Sequence, residues 1–280
     1  MSANIPRQVF IAAISSDIGS ALARRYLGEG CEVTGTYRDD AGILDLAIDP
    51  RVKLIRCDLS LPGALSNLSV QMTRRGVAWD IFISAIGQLS PIGAFLDADR
   101  DAWIESVSAN GAMQLGLLHA ISPFRIPGRM AKVAFLVGGA ISRSFPSYSA
   151  YSLGKLQLVK FCELIHDECD DMQAVAIGTG WVATKIHEQT LAAGDAAGDN
   201  FERTREFVAR KETGTSIDDI KACLDWCFAQ PRDVTGGRNF SVVYDDWRNG
   251  GQALARALAQ DTEAFKLRRH GNNTLGTVTS

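Results

Sequence analysis

Residues 8–36 read QVFIAAISSDIGSALARRYLGEGCEVTGT, and this stretch decides the fold. An apolar, β-rich run over residues 8–13 passes through a short polar loop into a helical pattern over residues 18–29, and a second apolar run follows at 32–36. A strand, a helix and another strand in this order are typical of a parallel β-α-β unit rather than of a sandwich or a helix bundle.

The same alternation continues along the chain. Further strands are predicted at 52–57, 81–84, 133–137, 174–177 and 239–243, and further helices at 62–75, 99–121, 148–168 and 217–229. The sequence therefore predicts an α/β fold with both faces of the sheet covered. Residues 191–200 (LAAGDAAGDN) lack periodicity and are predicted to be a mobile loop. A helical stretch after Gly250 and a frayed tail at 272–280 are predicted to end the chain.

The composition describes a folded chain with nearly balanced charge. Its 280 residues are 46% hydrophobic, and 29 basic against 32 acidic residues leave a formal net charge of -3, which argues against disorder and against a nucleic-acid-binding surface. Apolar runs are shorter than the roughly 20 residues of a membrane span, and no signal peptide is recognised, so we expect a cytoplasmic protein. The six cysteines lack Cys-x2-Cys spacing and the four histidines are scattered, so we expect reduced thiols and no metal.

The loop Ser15-Ser16-Asp17-Ile18-Gly19 joins the first strand to the first helix. Free backbone N–H groups and the helix dipole at such a position attract an anion, for example a dinucleotide pyrophosphate. The loop holds one glycine where nucleotide-binding loops usually carry two or three. Taken alone, it is explained equally well as an ordinary serine and aspartate N-cap.

Tyr151 and Lys155 are four residues apart on the helix predicted at 148–168, so they project from one face. An ammonium beside a phenol and the positive charge of a bound cofactor can together bring the tyrosine pKa down from about 10 towards the range useful for proton transfer. A pair of this spacing on its own is more often surface packing. Asn110, followed by Gly111 in the middle of a predicted helix, indicates a local bulge that frees a backbone carbonyl, with irregular packing as the alternative.

Taken in order, these features resemble the short-chain dehydrogenase/reductases. The resemblance covers roughly residues 7–245, and it rests on the loop at 12–19, Asp58-Leu59, Ser84-Ala85-Ile86-Gly87, Asn110, Tyr151-Ser152-Leu153-Gly154-Lys155 and Thr179-Gly180-Trp181-Val182-Ala183-Thr184. It implies a single Rossmann-like domain over 1–280, doubly wound, with a mostly parallel seven-stranded sheet. It further implies binding of NAD or NADP, hydride transfer to or from a carbonyl or alcohol, and a homodimer or homotetramer assembled through the helices of Asn110 and Tyr151.

The resemblance also implies a role for each matched residue. Tyr151 would be the general acid or base, Lys155 would lower its pKa and hold the nicotinamide ribose, and Asn110 would hold a water of a proton relay. Asp58 would contact the adenine amino group. The other implied cofactor contacts are Ser15, Ser16, Ile18, Gly19, Leu59, Ala85, Gly87, Thr179, Gly180, Val182 and Thr184.

The chain departs from the family pattern at several of these positions. Ala13 and Asp17 stand where the loop usually carries glycine, and we expect Ala13 to be tolerated only with a negative φ. Ser84 replaces an asparagine, and Thr179 replaces a proline, which leaves its segment less rigid.

The catalytic serine of the family is missing, because its position falls on Gly138. Loss of one such hydrogen-bond donor typically costs on the order of 10²- to 10³-fold in rate. Ser142 or Ser144, a few residues downstream, would substitute if the loop folds back. Otherwise the backbone N–H groups of Gly138 and Gly139, or a group of the substrate, must act.

Arg38 bears on the choice of cofactor. Tyr37 occupies the position at which NAD-preferring members carry aspartate, and the basic side chain of Arg38 comes next, which favours NADP. Asp39 and Asp40 follow, so a plain surface role for Arg38, with NAD as the cofactor, is the alternative. We predict that residues 185–215 form a variable substrate loop or lid and that 250–280 are a C-terminal extension. The substrate is expected to be a small carbonyl or alcohol.

Three functions remain open at this point. The first is an oxidoreductase that favours NADP. The second, motivated by Ala13, Gly138 and Thr179, is a weakly active or inactive dehydrogenase-like protein that binds nucleotide and regulates. The third is a sugar-nucleotide-modifying enzyme, which also uses a Tyr-x3-Lys pair but usually carries a longer C-terminal substrate domain.

Overall fold

A parallel sheet forms the centre of the computed structural model, which describes residues 6–39, 42–210, 214–249 and 251–269. In that part of the chain the strands are β1 (Gln8–Ala12), β2 (Glu32–Tyr37), β3 (Val52–Arg56), β4 (Ile81–Ser84), β5 (Ala131–Val137), β6 (Met172–Gly178) and β7 (Arg238–Ser241). Their order is β3-β2-β1-β4-β5-β6-β7, and every pairing is parallel. The predicted seven-stranded, Rossmann-like α/β fold is confirmed.

Helices cover both faces of this sheet. They are α1 (Asp17–Gly28), α2 (Ala64–Arg74), α3 (Arg100–Asn110), α4 (Ala112–Ile121), α5 (Ser149–Glu168), α6 (His187–Ala193), α7 (Asp199–Arg210), α8 (Ile217–Ala229), α9 (Arg232–Thr235) and α10 (Gln252–Gln260). Strand β1 shows how they are arranged: Val9 and Ile11 pack into the core that includes α1 and α8, whereas Phe10 and Ala12 pack into the core that includes α2, α4 and α5. Burial on both faces explains the continuous apolar runs of the strands.

The order of the strands positions the site. From β1 the chain continues to β2 and β3 on one side of the sheet, whereas from β4 it continues to β5, β6 and β7 on the other side. Strands β1 and β4 are hydrogen-bonded neighbours, so the direction of winding reverses between them. In open α/β sheets, ligands bind in the crevice at the carboxyl ends of the strands where this reversal occurs. The loops that follow β1, β4 and β5 therefore border the candidate site.

The prediction of a mobile loop at 191–200 is wrong. Most of the predicted substrate loop or lid at 185–215 lies in residues 185–210, which we call the lid segment after that prediction. It consists mainly of α6, a 3-10 turn over Gly194–Ala197, and α7. Ala193, Ala197 and Phe201 of this segment pack against Tyr148 and Tyr151. Burial of small side chains against the rest of the fold stabilises these helices, so the local sequence carries little periodicity.

The helix predicted at 99–121 is divided into α3 and α4 at Gly111, and α10 confirms the helical stretch after Gly250. The predictions at Asp40, residue 250 and the tail 272–280 lie outside the described residues. All six cysteines are free thiols, and four of them are buried.

The described residues include neither a membrane-spanning helix nor a cluster of metal-binding side chains. Within them, none of the helices has both the length and the apolar character needed to cross a membrane. In the same ranges, no three His, Cys, Asp or Glu side chains come together as a potential metal site.

Candidate active site

Tyr151 and Lys155 project from α5 into the crevice, as their spacing predicts, and both are buried, with 8% and 2% of their surface exposed. The Lys155 Nζ donates hydrogen bonds to the carbonyl of Ile86 (2.6 Å), just after β4, and to that of Leu136 (2.9 Å), in β5. It lies 5.9 Å from the centroid of the Tyr151 ring. The lysine therefore joins the ends of two central strands beside the phenol.

Burial controls the ionisation of both groups. It raises the pKa of the Tyr151 phenol to about 12 and lowers that of the Lys155 ammonium to about 7, because a charged group loses its hydration in the interior. The lowering of the phenol pKa that the sequence predicts depends on the positive charge of a bound cofactor as well as on the ammonium, and burial acts in the opposite direction. Lys155 directs its N–H groups at two carbonyl oxygens, and burial alone favours the protonated phenol.

Asn110 ends α3 at the predicted break in the helix. Its side chain is fully buried and fixes the loop after β4: Nδ2 donates to the Gln88 carbonyl (2.8 Å), and Oδ1 accepts from the Gln88 N–H (3.1 Å). A Cβ atom added to Gly154 would lie 2.5 Å from the Asn110 Cβ. Glycine at position 154 thus permits α5 to approach α3 closely. Because Tyr151 and Lys155 lie on the same helix as Gly154, this approach brings Asn110 near them.

Gly138, at the position of the missing serine, lies directly against Tyr151. A Cβ atom added there would be 2.5 Å from the Tyr151 Oη. Ser142 and Ser144 are exposed on the loop that follows, and the Ser142 N–H donates to the Gly139 carbonyl at 3.3 Å. The backbone of Gly138, rather than either of these serines, is therefore the group that the structure places beside the phenol oxygen.

The loop after β1 closes tightly at the start of α1. The Ser16 hydroxyl accepts from the Gly19 N–H (3.0 Å) and donates to the Ala13 carbonyl (2.8 Å), so the predicted N-cap is present. A Cβ atom added to Gly19 would collide with the Ala13 carbonyl oxygen. Asp17, the first residue of α1, accepts a hydrogen bond from the Lys185 N–H at 2.7 Å. This bond connects the loop to the lid segment.

Ala13 adopts a positive φ of 58°, so the expectation of a negative φ is wrong. The loop must turn sharply after β1 for Ser16 to reach the Ala13 carbonyl, and this closure imposes the left-handed conformation. For a residue with a Cβ atom that conformation costs about 1–2 kcal/mol.

Replacing Ala13 with glycine is expected to raise the free energy of unfolding by about 0.5–1 kcal/mol. Relief of the left-handed strain exceeds the extra chain entropy that glycine loses on folding, which is about 0.5–1 kcal/mol. Urea denaturation would measure the change. Ala12→Gly is the matched control and should lower stability, because Ala12 lies fully buried in β1. A loss of stability in Ala13→Gly would contradict the strain argument.

The residues predicted for the adenosine end of a dinucleotide follow β2 and β3. Arg38 comes directly after β2, and Asp58 lies two residues after β3. Hydrogen bonds from Ser60 hold the Asp58 pKa below its usual value, and the charge of Arg38 acts in the same direction. The two side chains are therefore near enough to interact, while Leu59 packs at the margin of the core.

The residues predicted for the nicotinamide end follow β4 and β6. The Ala85 N–H donates to the Ala12 carbonyl (3.0 Å), and a Cβ atom added to Gly87 would lie 3.8 Å from the Lys155 Nζ. After β6, Thr179 donates its N–H to Val137.

The segment from Gly180 to Thr184 is held on two sides. Gly180 has a φ of 71°, and an added Cβ atom would lie 2.6 Å from the Val243 side chain. The Val182 carbonyl lies 2.8 Å from the His187 Nε2, and the Thr184 carbonyl accepts from the His187 N–H at 3.3 Å. These bonds tie the segment to α6.

The chain is similar to known proteins in sequence and in fold. A short-chain alcohol dehydrogenase family model, described as "Enoyl-(Acyl carrier protein) reductase", matches residues 12–224. The chain belongs to the short-chain dehydrogenase/reductase family. It is 22% identical over 253 residues to the short chain dehydrogenase pigC of Monascus ruber. The alignment covers 85% of this chain and 79% of that protein.

Solved structures of the family share the fold. The KRED1-Pglu enzyme is 18% identical, with a TM-score of 0.75 over 84% of this chain and 100% of that one. A 4-hydroxyisoleucine dehydrogenase complexed with NADH is 19% identical, with a TM-score of 0.69 over 84% of this chain and 96% of that one.

The structure adds two glutamines, Gln189 and Gln114, whose place at the site of this family member is not predicted from the sequence. The Gln189 Oε1 accepts from the N–H groups of Leu89 (2.8 Å) and Ser90 (3.0 Å), which fixes the lid segment to the loop after β4. Gln114 bridges β4 and the break between α3 and α4. Gln114 does carry a signal, because it interrupts the apolar pattern AMQLGLL and a buried polar side chain is normally hydrogen-bonded. Gln189 carries none.

Proposed function

We propose that this chain is a nicotinamide-dependent oxidoreductase that transfers hydride between the cofactor and a carbonyl or alcohol carbon, with Tyr151 as general acid or base. The observation that carries the proposal is the contiguous, buried arrangement of Asn110, Tyr151 and Lys155 beside the crevice of the sheet. A perturbed pKa in such a crevice is characteristic of a functional site.

The residues present fit a nicotinamide dinucleotide. Glycine at position 19 permits the tight turn of the loop, because a Cβ atom there would collide with the Ala13 carbonyl oxygen, and the turn leads into the N-terminus of α1, where a pyrophosphate is attracted. When bound, the cofactor supplies or accepts the hydride. Lys155 would hold the nicotinamide ribose and Asp58 the adenine amino group, and the backbone of Val182 would meet the carboxamide. The remaining contacts with the cofactor would come from the loop after β1, from Ala85 and Gly87, and from the segment Thr179 to Thr184.

Tyr151 would perform the proton transfer. In the reducing direction its Oη donates a proton to the carbonyl oxygen as hydride reaches the carbonyl carbon, and in the oxidising direction the phenolate takes the proton back. Lys155 would stabilise the phenolate, and Asn110 would keep the relay to solvent in place. With glycine at position 138, the Tyr151 hydroxyl would be the principal side-chain donor to the substrate oxygen.

The surroundings of Tyr151 favour an uncharged substrate. The side chains that pack in its cluster are those of Tyr148, Ala197, Leu89, Ile92, Phe145, Ala193 and Phe201. Hydrocarbon and aromatic walls of this kind penalise a charged group next to the reacting carbon. Because the lid segment contributes three of these residues, we propose that it covers the substrate.

A second candidate function rests on the contact between Gly138 and Tyr151. A chain that lacks the serine donor and carries Asp17 in its nucleotide loop would bind the dinucleotide and regulate without turnover. Thermal unfolding with NADPH and with NADH, followed by a panel of ketones, aldehydes and alcohols, separates the candidates. A ligand at 100 times its Kd stabilises by about 2.7 kcal/mol. Stabilisation without turnover supports the regulator, and no stabilisation by either cofactor contradicts both.

Replacing Arg38 with alanine is expected to raise the Kd for NADPH by about 10- to 100-fold and to leave that for NADH nearly unchanged. The reason is that a hydrogen bond to a charged group contributes about 1.5–3 kcal/mol, and only NADPH carries the 2′-phosphate. Isothermal titration would measure both constants. Arg74→Ala removes the same charge from an exposed position on α2 and serves as the control. An unchanged ratio of the two Kd values would contradict the preference for NADP.

A further inference from the structure

The break between α3 and α4 frees backbone carbonyl groups, and the Gln114 side chain binds them. Gly111 lies between the two helices with φ -133° and ψ -93°. The Gln114 Nε2 donates to the carbonyls of Ala109 (3.1 Å) and Asn110 (3.0 Å). One side-chain amide thus takes the place of the helical hydrogen bonds that the break removes.

The other end of the same amide reaches β4. The Ser84 hydroxyl donates to the Gln114 Oε1 at 2.6 Å, and both side chains are fully buried. The Gln114 Nε2 is also 3.5 Å from the Ile86 carbonyl, which accepts the 2.6 Å hydrogen bond from the Lys155 Nζ. Gln114 therefore contacts both the backbone of Asn110 and the carbonyl that holds Lys155.

We propose that Gln114 is a positioning residue for the hydride-transfer reaction, which holds the Asn110 backbone and the Ile86 carbonyl at the places that Lys155 and the proton relay require. The inference rests on the proposed function. Gln114 acts through other groups: it neither contacts the phenol nor replaces the missing serine in the hydrogen bonds described.

The burial of the network explains why one amide has this effect. Lys155 owes its lowered pKa to burial. In the hydrogen bonds of the network among the described residues, Lys155 is the titratable side chain, and the Tyr151 ring lies beside it, with its centroid 5.9 Å from the Lys155 Nζ. Without the Gln114 amide, the freed carbonyls would need water, and water admitted next to Ile86 would hydrate the Lys155 ammonium. The Lys155 pKa would then rise towards its ordinary value.

The test uses Gln114→Met, which keeps the length of the side chain and removes its hydrogen bonds. We expect kcat to fall at least tenfold, the Kd for NADPH to change less than threefold, and the midpoint of the pH profile to move. The matched control is Gln173→Met: Gln173 is equally buried, at the opposite end of the sheet, and its Nε2 donates to Cys227 (2.9 Å) and Thr235 (2.6 Å). The control should lose a comparable amount of thermal stability while keeping kcat and the pH profile.

A second readout does not need activity. NMR titration of isotopically labelled lysine side chains would report the Lys155 midpoint, which we expect to rise by half a pH unit or more in Gln114→Met and to stay fixed in Gln173→Met. An unchanged midpoint overturns the inference. An inactive native chain in which the midpoint still moves would contradict the proposed function but support the positioning role. If Gln114→Met does not fold, Ser84→Ala decides, with a smaller shift in the same direction expected and no shift overturning the inference.

Discussion

Replacing Tyr151 with phenylalanine is expected to lower kcat by about 10²- to 10⁴-fold, the range that a positioned general acid or base contributes. The substitution removes one oxygen atom from a side chain that packs in an apolar cluster, so the fold and the binding of NADPH should be retained. Steady-state kinetics with the best substrate of the panel would measure the loss, and the cofactor Kd would show that the site is intact.

Tyr26→Phe provides a matched control for this experiment. Tyr26 lies fully buried on α1, and its hydroxyl makes no hydrogen bond among the described residues. Removing that hydroxyl should leave kcat unchanged and keep or raise stability, because an unsatisfied buried polar group is lost. If Tyr151→Phe retained the activity of Tyr26→Phe, the proposed role of Tyr151 would be wrong.

The direction of the reaction should affect the dependence on pH. Burial raises the pKa of the Tyr151 phenol to about 12, so the protonated form, which reduction requires, persists at all lower pH values. Oxidation requires the phenolate, whose fraction increases tenfold for each unit of pH below that pKa. The ionisation of Tyr151 should therefore leave reduction unchanged around neutral pH, where a midpoint would report Lys155, whose pKa burial lowers to about 7, while oxidation should accelerate as the pH rises. Initial rates in both directions, measured across this pH range, would check the difference.

The core of the fold could be predicted because its physical causes are local. Strands such as β1 and β4 are buried on both faces, so they must be continuous apolar runs, and such runs are visible in the sequence. The helices of the lid segment, in contrast, are not visible in the sequence pattern. The small residues of this segment, such as Ala193 and Ala197, pack against Tyr148 and Tyr151, and tertiary packing that stabilises a helix in this way requires little local periodicity.

At the candidate site, features with local causes are also predictable from the sequence, whereas features that depend on tertiary contacts are not. The common face of Tyr151 and Lys155 follows from helical geometry, and the break at Gly111 follows from residue types that helices disfavour. The positive φ of Ala13 depends on the hydrogen bond that closes its loop. The raised phenol pKa depends on how deeply the crevice is buried, and the contact of Gly138 with Tyr151 depends on the approach of α5 to β5. None of these is a property of a short stretch of sequence.

Replacing Gly138 with serine, which restores the residue of the family pattern, is expected to lower kcat by about 10²-fold rather than to raise it. The added Cβ atom would lie 2.5 Å from the Tyr151 Oη, whereas ordinary contacts begin at 3.4 Å. The phenol would have to move by about 1 Å, and a misplacement of that size costs on the order of 10²-fold. A serine hydroxyl that donates to the substrate carbonyl would not replace the proton transfer that the displaced phenol no longer makes.

Two further variants separate the steric effect from the chemical one. Gly138→Ala introduces the same Cβ atom without a hydroxyl and should lose a similar amount of kcat. Gly139→Ala is the control on the neighbouring residue, where an added Cβ atom meets nothing within 4 Å, and it should keep kcat within about twofold. If Gly138→Ser instead gained the 10²- to 10³-fold that an added oxyanion donor contributes elsewhere, Tyr151 would have to move freely away from Gly138. The chain would then be a dehydrogenase that lacks only its serine. The expected loss would mean that Gly138 and Tyr151 fit each other, so that the phenol occupies the space of the serine side chain.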